Sequence, residues 1–144
     1  MKPMTTTSNI RHALLALSLA LPLGLASTQA TAQVVVVGAK SATGALSKEQ
    51  VSDAFMGRMA GVEPVDLAEG NAIRDEFYPK AVGKTAAQVK SYWSKLFFSG
   101  KGVIPKEYSS SAELKKALAA NPTAIGYIEK SAGDAGVKVV FELH

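Results

Sequence analysis

Residues 34–38 read Val34-Val35-Val36-Val37-Gly38, an unbroken run of β-branched side chains closed by a glycine. β-Branched residues favour extended backbone, and a strand that is apolar on both faces is typical of a sheet covered on both sides. The run therefore predicts a buried strand. A parallel sheet is its expected setting, because parallel sheets are the ones usually covered on both faces.

Helices are predicted over residues 47–57, 85–99 and 110–121. The first two begin with capping boxes, in which one side chain bonds an early backbone amide and a second side chain reaches back. These capping pairs are Ser47 with Gln50 and Thr85 with Gln88. Apolar and aromatic residues recur every three or four positions in the second helix, so Trp93 is expected to pack in the core rather than to bind a ligand.

The remaining segments complete an alternation of strands and helices. A short strand is predicted over residues 62–67, where Pro64 favours a sheet edge. A helix is expected from Asn71 to Pro79, and strands over residues 124–128 and 137–141. This order predicts an α/β fold in which helices flank a small parallel or mixed sheet, and its length suits one domain.

The first 32 residues have the pattern of a cleavable signal peptide. Lys2 and Arg11 give a positive start, and the apolar run over residues 13–25 that follows is shorter than the about 20 residues of a membrane-spanning helix. Ala30 and Ala32 are the small residues that signal peptidase accepts, so we place the cut after Ala32. We expect export to the periplasm by the general secretion route. A retained membrane anchor is the alternative.

From Gln33 onward the chain carries 14 basic and 12 acidic residues, because two of the 16 basic residues lie in the predicted signal peptide. Charges of both signs are interspersed, which argues against nucleic-acid binding. Cysteine is absent, so no thiolate nucleophile, disulfide or lipidated membrane anchor is available. His12 and His144 are the two histidines, and neither can form an internal catalytic triad. We therefore expect no enzyme, no metal site and no cofactor.

Two loops are candidate ligand sites, because ligands of open α/β sheets bind beyond the carboxyl ends of strands. One follows the first strand, and the other is a turn whose helix start offers free amides and a positive dipole end to an anion. The candidate residues are Gly38, Ala39 and Lys40 in the first loop, and Gly70, Asn71, Ala72, Ile73 and Arg74 in the second.

Nearby acidic residues support a competing interpretation of the second loop. Asp75 and Glu76 lie in the same helical turn and would repel an anion, so an ordinary self-capped helix stays open as the alternative. Glu63, Asp66 and Glu69 recur at three-residue spacing in a strand and turn, where that spacing does not place them on one face. We interpret them as a solvated edge rather than a metal or acid/base site.

Several segments together resemble the phosphate-type substrate-binding proteins of ABC importers, which have the type 2 periplasmic-binding-protein fold. The similar segments are the strand 34–37, Leu46-Ser47-Lys48-Glu49-Gln50-Val51 with Phe55-Met56-Gly57, Tyr92-Trp93 with Phe98-Ser99-Gly100-Lys101-Gly102, and Ala124-Ile125-Gly126-Tyr127-Ile128. Their order and spacing agree with that family over essentially all of residues 33–144. The resemblance implies a single small lobe of such a protein, with a mixed sheet flanked by helices.

The chain departs from the family where phosphate is held. The family has an arginine and then Ser-Gly-Thr at a helix start, and the matching positions here are Leu67 and 71–73. The resemblance thus implies weak or altered binding of phosphate or another small anion, with an ABC permease or other envelope protein as partner and a homodimer as a way to close the cleft. The alternative is a secreted protein-interaction or sensor-accessory module that uses the loop 101–108 and binds no small molecule.

Overall fold

The computed structural model describes residues 32–144, which form one sheet of four strands, a second sheet of two short strands, and four helices. Residues 1–31 of the predicted signal peptide lie outside the described residues. The elements in chain order are β1 (Val34–Ala39), α1 (Lys48–Phe55), β2 (Glu63–Pro64), β3 (Asp66–Leu67), α2 (Ala72–Ala81), α3 (Ala86–Phe98), β4 (Glu107–Tyr108), α4 (Ser111–Ala120), β5 (Ala124–Glu129), a 3-10 turn (Lys130–Ala132) and β6 (Val137–Glu142).

The valine run forms β1, which is buried along its whole length. The four-stranded sheet has the order β2-β5-β1-β6. β1 pairs with β5 and β6 in antiparallel register, and β2 pairs with β5 in parallel register. The sheet is mixed, as predicted, but the parallel setting expected for β1 is wrong. A β-branched run indicates that a strand is buried but does not indicate its direction. A central antiparallel strand can be buried as completely as a parallel one.

The segment 62–67 was expected to be one edge strand, and it forms two. β2 lies at the edge of the main sheet, while β3 pairs in parallel with β4 in the second sheet. The backbone between them stays attached to the main sheet, since the amide of Val65 donates to the carbonyl of Ile125 at 2.8 Å. Pro64 has no amide to donate and tolerates the edge position.

The helix starts agree with the capping residues in the sequence. Both predicted capping boxes are present, at Ser47 and at Thr85. Asn71 and Ser110 cap α2 and α4 by accepting hydrogen bonds from first-turn amides. The predicted end of α2 at Pro79 is wrong, because the helix continues to Ala81 with the proline inside its last turn.

The core lies between the main sheet and the helices. Its largest part is an aromatic cluster of Phe55, Phe77, Tyr78 and Tyr127, in which the rings of Phe77 and Tyr127 stack at 3.9 Å. Trp93 packs against this core and donates from Nε1 to the carbonyl of Phe55 at 3.2 Å, which confirms its predicted packing role. Among residues 32–144, each helix falls short of the length and hydrophobicity that a membrane span requires.

Candidate functional site

The second candidate loop joins the end of β3 to the start of α2. The amide of Asn71 donates to the carbonyl of Ala68 at 3.1 Å, and Gly70 turns the chain with a φ of 84°. The side chain of Asn71 then accepts from the amide of Ile73 at 2.9 Å. The helix therefore satisfies one first-turn amide itself, and the Ala72 and Arg74 amides have no acceptor among residues 32–144.

The starts of α2 and α3 meet at a small pocket of about 120 Å³. At roughly 30 Å³ per water molecule, it has room for about four waters or one small oxyanion. Both helices direct the positive ends of their dipoles toward this region. The pocket is lined by Glu69, Gly70, Arg74, Asp75, Ala86, Ala87 and Lys90.

The charges around the pocket oppose one another. Lys90 Nζ lies 2.6 Å from Glu69 Oε2, and both side chains are exposed. The hydrogen bond from Lys90 and its positive charge lower the pKa of Glu69. Asp75 adds a second carboxylate in the first turn of α2. An anion entering the pocket would gain from Lys90 and two helix ends and would be repelled by two carboxylates.

Arg74, which the sequence suggested as an anion ligand, is turned into the protein and is 3% exposed. Its Nη1 donates to the carbonyl of Leu67 at 2.9 Å and to Glu107 Oε1 at 2.7 Å, and its Nη2 lies 3.6 Å from Asp66 Oδ2. Burial alone would lower the pKa of Arg74, but the two carboxylates raise it overall. The guanidinium thus joins β3, β4 and α2, and Nε is its one nitrogen without a partner among the described residues.

Asp66 corrects the prediction of a solvated acidic edge. Glu63 and Glu69 are exposed as expected, but Asp66 is 4% exposed. Its carboxylate accepts from the Leu67 amide at 2.9 Å, from the Tyr78 hydroxyl at 2.7 Å and from the Tyr127 hydroxyl.

Desolvation by burial raises the pKa of Asp66, because the hydrogen bonds and Arg74 only partly offset the loss of water. Burial and the charge of Asp66 in turn raise the pKa values of Tyr78 and Tyr127 far above their ordinary range. The arrangement is a buried polar network that orients the strand end leading into the pocket.

The first candidate loop is placed differently from the expectation. Gly38 and Ala39 belong to β1 and pair with Lys138 and Val137 of β6, so the loop begins only at the exposed Lys40. β1 runs antiparallel to β5, whereas the chain from β2 to β3 runs parallel to it. The two candidate loops therefore lie at opposite ends of the sheet and cannot hold one small ligand together.

Comparison with solved structures identifies the fold. No protein-family model matches the chain, and no curated protein does. A solved structure from Clostridium perfringens, assigned as a phosphate ABC transporter substrate-binding protein with bound phosphate, is 22% identical with a TM-score of 0.61. An ABC-type phosphate transport receptor from Vibrio cholerae is 14% identical with a TM-score of 0.59.

Each match covers 75% of this chain. It covers 44% of the Clostridium perfringens protein and 45% of the Vibrio cholerae protein. The chain thus spans less than half the length of the solved structures that it matches. Its fold is that of one lobe of a periplasmic binding protein, which confirms the predicted α/β class and the resemblance on which it was based.

Part of the site was not predicted from the sequence. Lys90 and Glu107 were assigned no role, and the start of α3 was predicted only as a capped helix start. The capping box at Thr85 was the available signal, since it marked a second helix start with free amides. No local pattern places that start beside Gly70, because the two are brought together only by the packing of α2 on α3.

Proposed function

We propose that the protein is an exported, non-enzymatic relative of phosphate-type ABC substrate-binding proteins, and that it binds small oxyanions weakly. The binding site in this proposal is the pocket between the starts of α2 and α3. The observation that carries it is the meeting of two helix N-terminal turns and Lys90 at a pocket of oxyanion size. The likeness of the fold to proteins named for phosphate transport supports the choice of ligand class.

The residues at the pocket account for the expected weakness. A charge-assisted hydrogen bond contributes about 1.5–3 kcal/mol, and a dissociation constant of about 1 mM corresponds to about 4 kcal/mol of binding free energy. Here the donors are amides at the two helix starts and one lysine, and Glu69 and Asp75 oppose them. No serine or threonine hydroxyl lies at positions 71–73, and Arg74 is engaged inside the protein. We expect dissociation constants of about 1 mM or weaker.

Isothermal titration calorimetry at constant ionic strength tests this proposal with phosphate, sulfate and acetate. Lys90→Gln should weaken phosphate binding several-fold, and Glu69→Gln should strengthen it by removing a repulsive charge. Lys138→Gln is the matched control, since Lys138 pairs with Gly38 at the far end of the sheet. Micromolar binding would contradict the weak affinity, and Lys90→Gln binding as tightly as the parent would contradict the site.

Export is the second part of the proposal and rests on the sequence of residues 1–32. Expressed whole in a bacterial host, the protein should be recovered from the periplasm with Gln33 as its first residue by mass spectrometry. Ala30→Arg should leave the leader uncut, because signal peptidase requires a small residue there. An unprocessed cytoplasmic product from the parent chain would refute this part without touching the anion site.

A further inference from the structure

The end of α3 and the loop after it expose a group of large apolar side chains. Phe98 and Val103 are 86% and 81% exposed, and Phe97 and Ile104 are about half exposed. The two phenylalanine rings lie edge to face with centroids 5.6 Å apart. We call these four residues the apolar tip.

The apolar tip is held by a turn that folds back on the helix. The amide of Lys101 donates to the carbonyl of Leu96 at 2.8 Å, and Gly102 packs against the side chain of Leu96. The chain therefore re-emerges at Val103 beside the last turn of α3.

Lysines without acidic partners lie close to the tip in the sequence. Residues 77–106 contain six lysines and no aspartate or glutamate. Lys80 and Lys90 pair with Glu76 and Glu69, whereas the three lysines within three residues of the tip in the sequence lie within 4 Å of no carboxylate in the described part of the chain. We call these three exposed residues, Lys95, Lys101 and Lys106, the lysine collar.

The chemistry of the tip and its collar restricts what can cover it. A second copy of the chain would bring two lysine collars together, and the repulsion would oppose a symmetric contact. A bilayer surface that carries anionic phospholipid is complementary to both parts. Its headgroup region accepts aromatic and aliphatic side chains to a depth of about 5–10 Å, and its phosphates attract nearby lysines.

We propose that the apolar tip and the lysine collar bind the protein reversibly to the surface of a membrane that contains anionic phospholipid. Phe97, Phe98, Val103 and Ile104 enter the interface, and the three collar lysines lie at the level of the lipid phosphates. This contact is peripheral and needs no lipid attachment. It is separate from the anion pocket and does not depend on anion binding.

Co-sedimentation with protein-free vesicles tests the proposal. The protein is purified after export and mixed with phosphatidylcholine vesicles with or without about 30% phosphatidylglycerol, a composition chosen to give a negative surface potential. We expect binding only to the anionic vesicles, and we expect it to weaken between about 50 and 500 mM salt. No binding to anionic vesicles at low salt would overturn the proposal.

Variants test whether the apolar tip and the lysine collar form the surface that binds the vesicles. Phe97→Ser with Phe98→Ser should reduce vesicle partitioning at least tenfold, and each Lys→Gln change in the collar should reduce it about fivefold. Val139→Ser and Lys138→Gln are matched controls, since both residues are exposed on β6 away from α3, and should bind like the parent. All variants share one N-terminus, so differences between them report the tip.

Two further outcomes would overturn the proposal. One is equal partitioning of the parent and the double phenylalanine variant. The other is binding to native membranes but not to protein-free vesicles, which would assign the tip to a membrane protein instead. Emission of the single tryptophan, Trp93, during urea unfolding checks that each variant is folded.

Discussion

Arg74 and Asp66 lie side by side in the interior, and neither can be explained as a surface charge. Asp66 accepts hydrogen bonds from two tyrosine hydroxyls and an amide, while Arg74 bridges a carbonyl and Glu107. Removing one partner of such a pair leaves the other charged and buried. The two residues therefore stabilise the end of β3 and join it to α2 beside the pocket.

Arg74→Met should lower the free energy of unfolding by about 3 kcal/mol, because Asp66 would keep its buried charge without the nearby guanidinium. Arg58→Met is the control, since Arg58 pairs with Asp53 at 3.4 Å on the surface and such pairs contribute at most about 1 kcal/mol. Urea unfolding followed by Trp93 fluorescence measures both. Similar losses in the two variants would show that the buried ion pair contributes no more to the free energy of unfolding than the exposed one.

The pH dependence of stability should carry the signature of Asp66. Burial raises its pKa above 3.8, so the folded protein binds this proton more tightly than the unfolded chain. Its contribution to stability is present below its unfolded pKa and is lost as the pH rises through the folded pKa. The free energy of unfolding of the parent, relative to Asp66→Asn, should therefore fall as the pH rises from about 4.

Urea titrations of both proteins between about pH 4 and pH 7 measure that difference. The exposed acids whose pKa values are lowered, such as Glu113 and Asp134, are common to both proteins and cancel in it. A difference that increases with pH would mean that hydrogen bonds and Arg74 outweigh desolvation at Asp66.

At the scale of elements, α1 and α3 meet at a close approach just after α1 ends. Gly57 has a φ of 70°, and a Cβ there would lie 2.6 Å from Trp93 Cη2. Tyr92 adds a hydrogen bond from its hydroxyl to the carbonyl of Met56 at 2.8 Å. The end of α1 thereby contacts the middle of α3, and this contact helps to position α3 against the core.

Gly57→Ala should destabilise the protein by about 2–4 kcal/mol, because a left-handed backbone costs roughly 1–2 kcal/mol and displacement of the indole adds a packing cost. Gly61→Ala is the matched control. Gly61 has a φ of 76° with open space around its Cβ position, so only the backbone cost of about 1–2 kcal/mol is expected. Thermal or urea unfolding compares them, and equal losses would exclude a packing role for Gly57.

At the scale of the whole molecule, one continuous core joins the main sheet to all four helices. The valines of β1, the aromatic cluster and the leucines of α4 belong to the same buried group. A core of this kind supports cooperative folding of a lobe that spans less than half the length of the solved structures it matches.

Residues 33–144 alone should therefore unfold in one transition. Far-ultraviolet circular dichroism, which reports the helices, and Trp93 fluorescence, which reports the α1–α3 contact, should give the same urea midpoint. Separate midpoints would mean that the two-stranded sheet and its helices fold apart from the main sheet. The control is the processed protein recovered after export, which should show the same midpoint.

The helix starts, the buried first strand and the α/β class were all predictable from the sequence, because each depends on residues a few positions apart. A capping box joins side chains three residues apart, and the valine run needs only its own neighbours. The direction of β1 was not predictable in this way, since a run of valines is apolar on both faces whichever way its neighbours run.

Only the tertiary structure decided which charges are buried and which face the pocket. Asp66 meets Tyr127 across 61 positions, Arg74 meets Glu107 across 33, and Lys90 meets Glu69 across 21. A carboxylate or guanidinium favours water until distant groups supply its hydrogen bonds in the interior. Those groups come from β3, β4, β5 and α2. Whether each charged side chain is buried or exposed therefore depends on how these elements pack together.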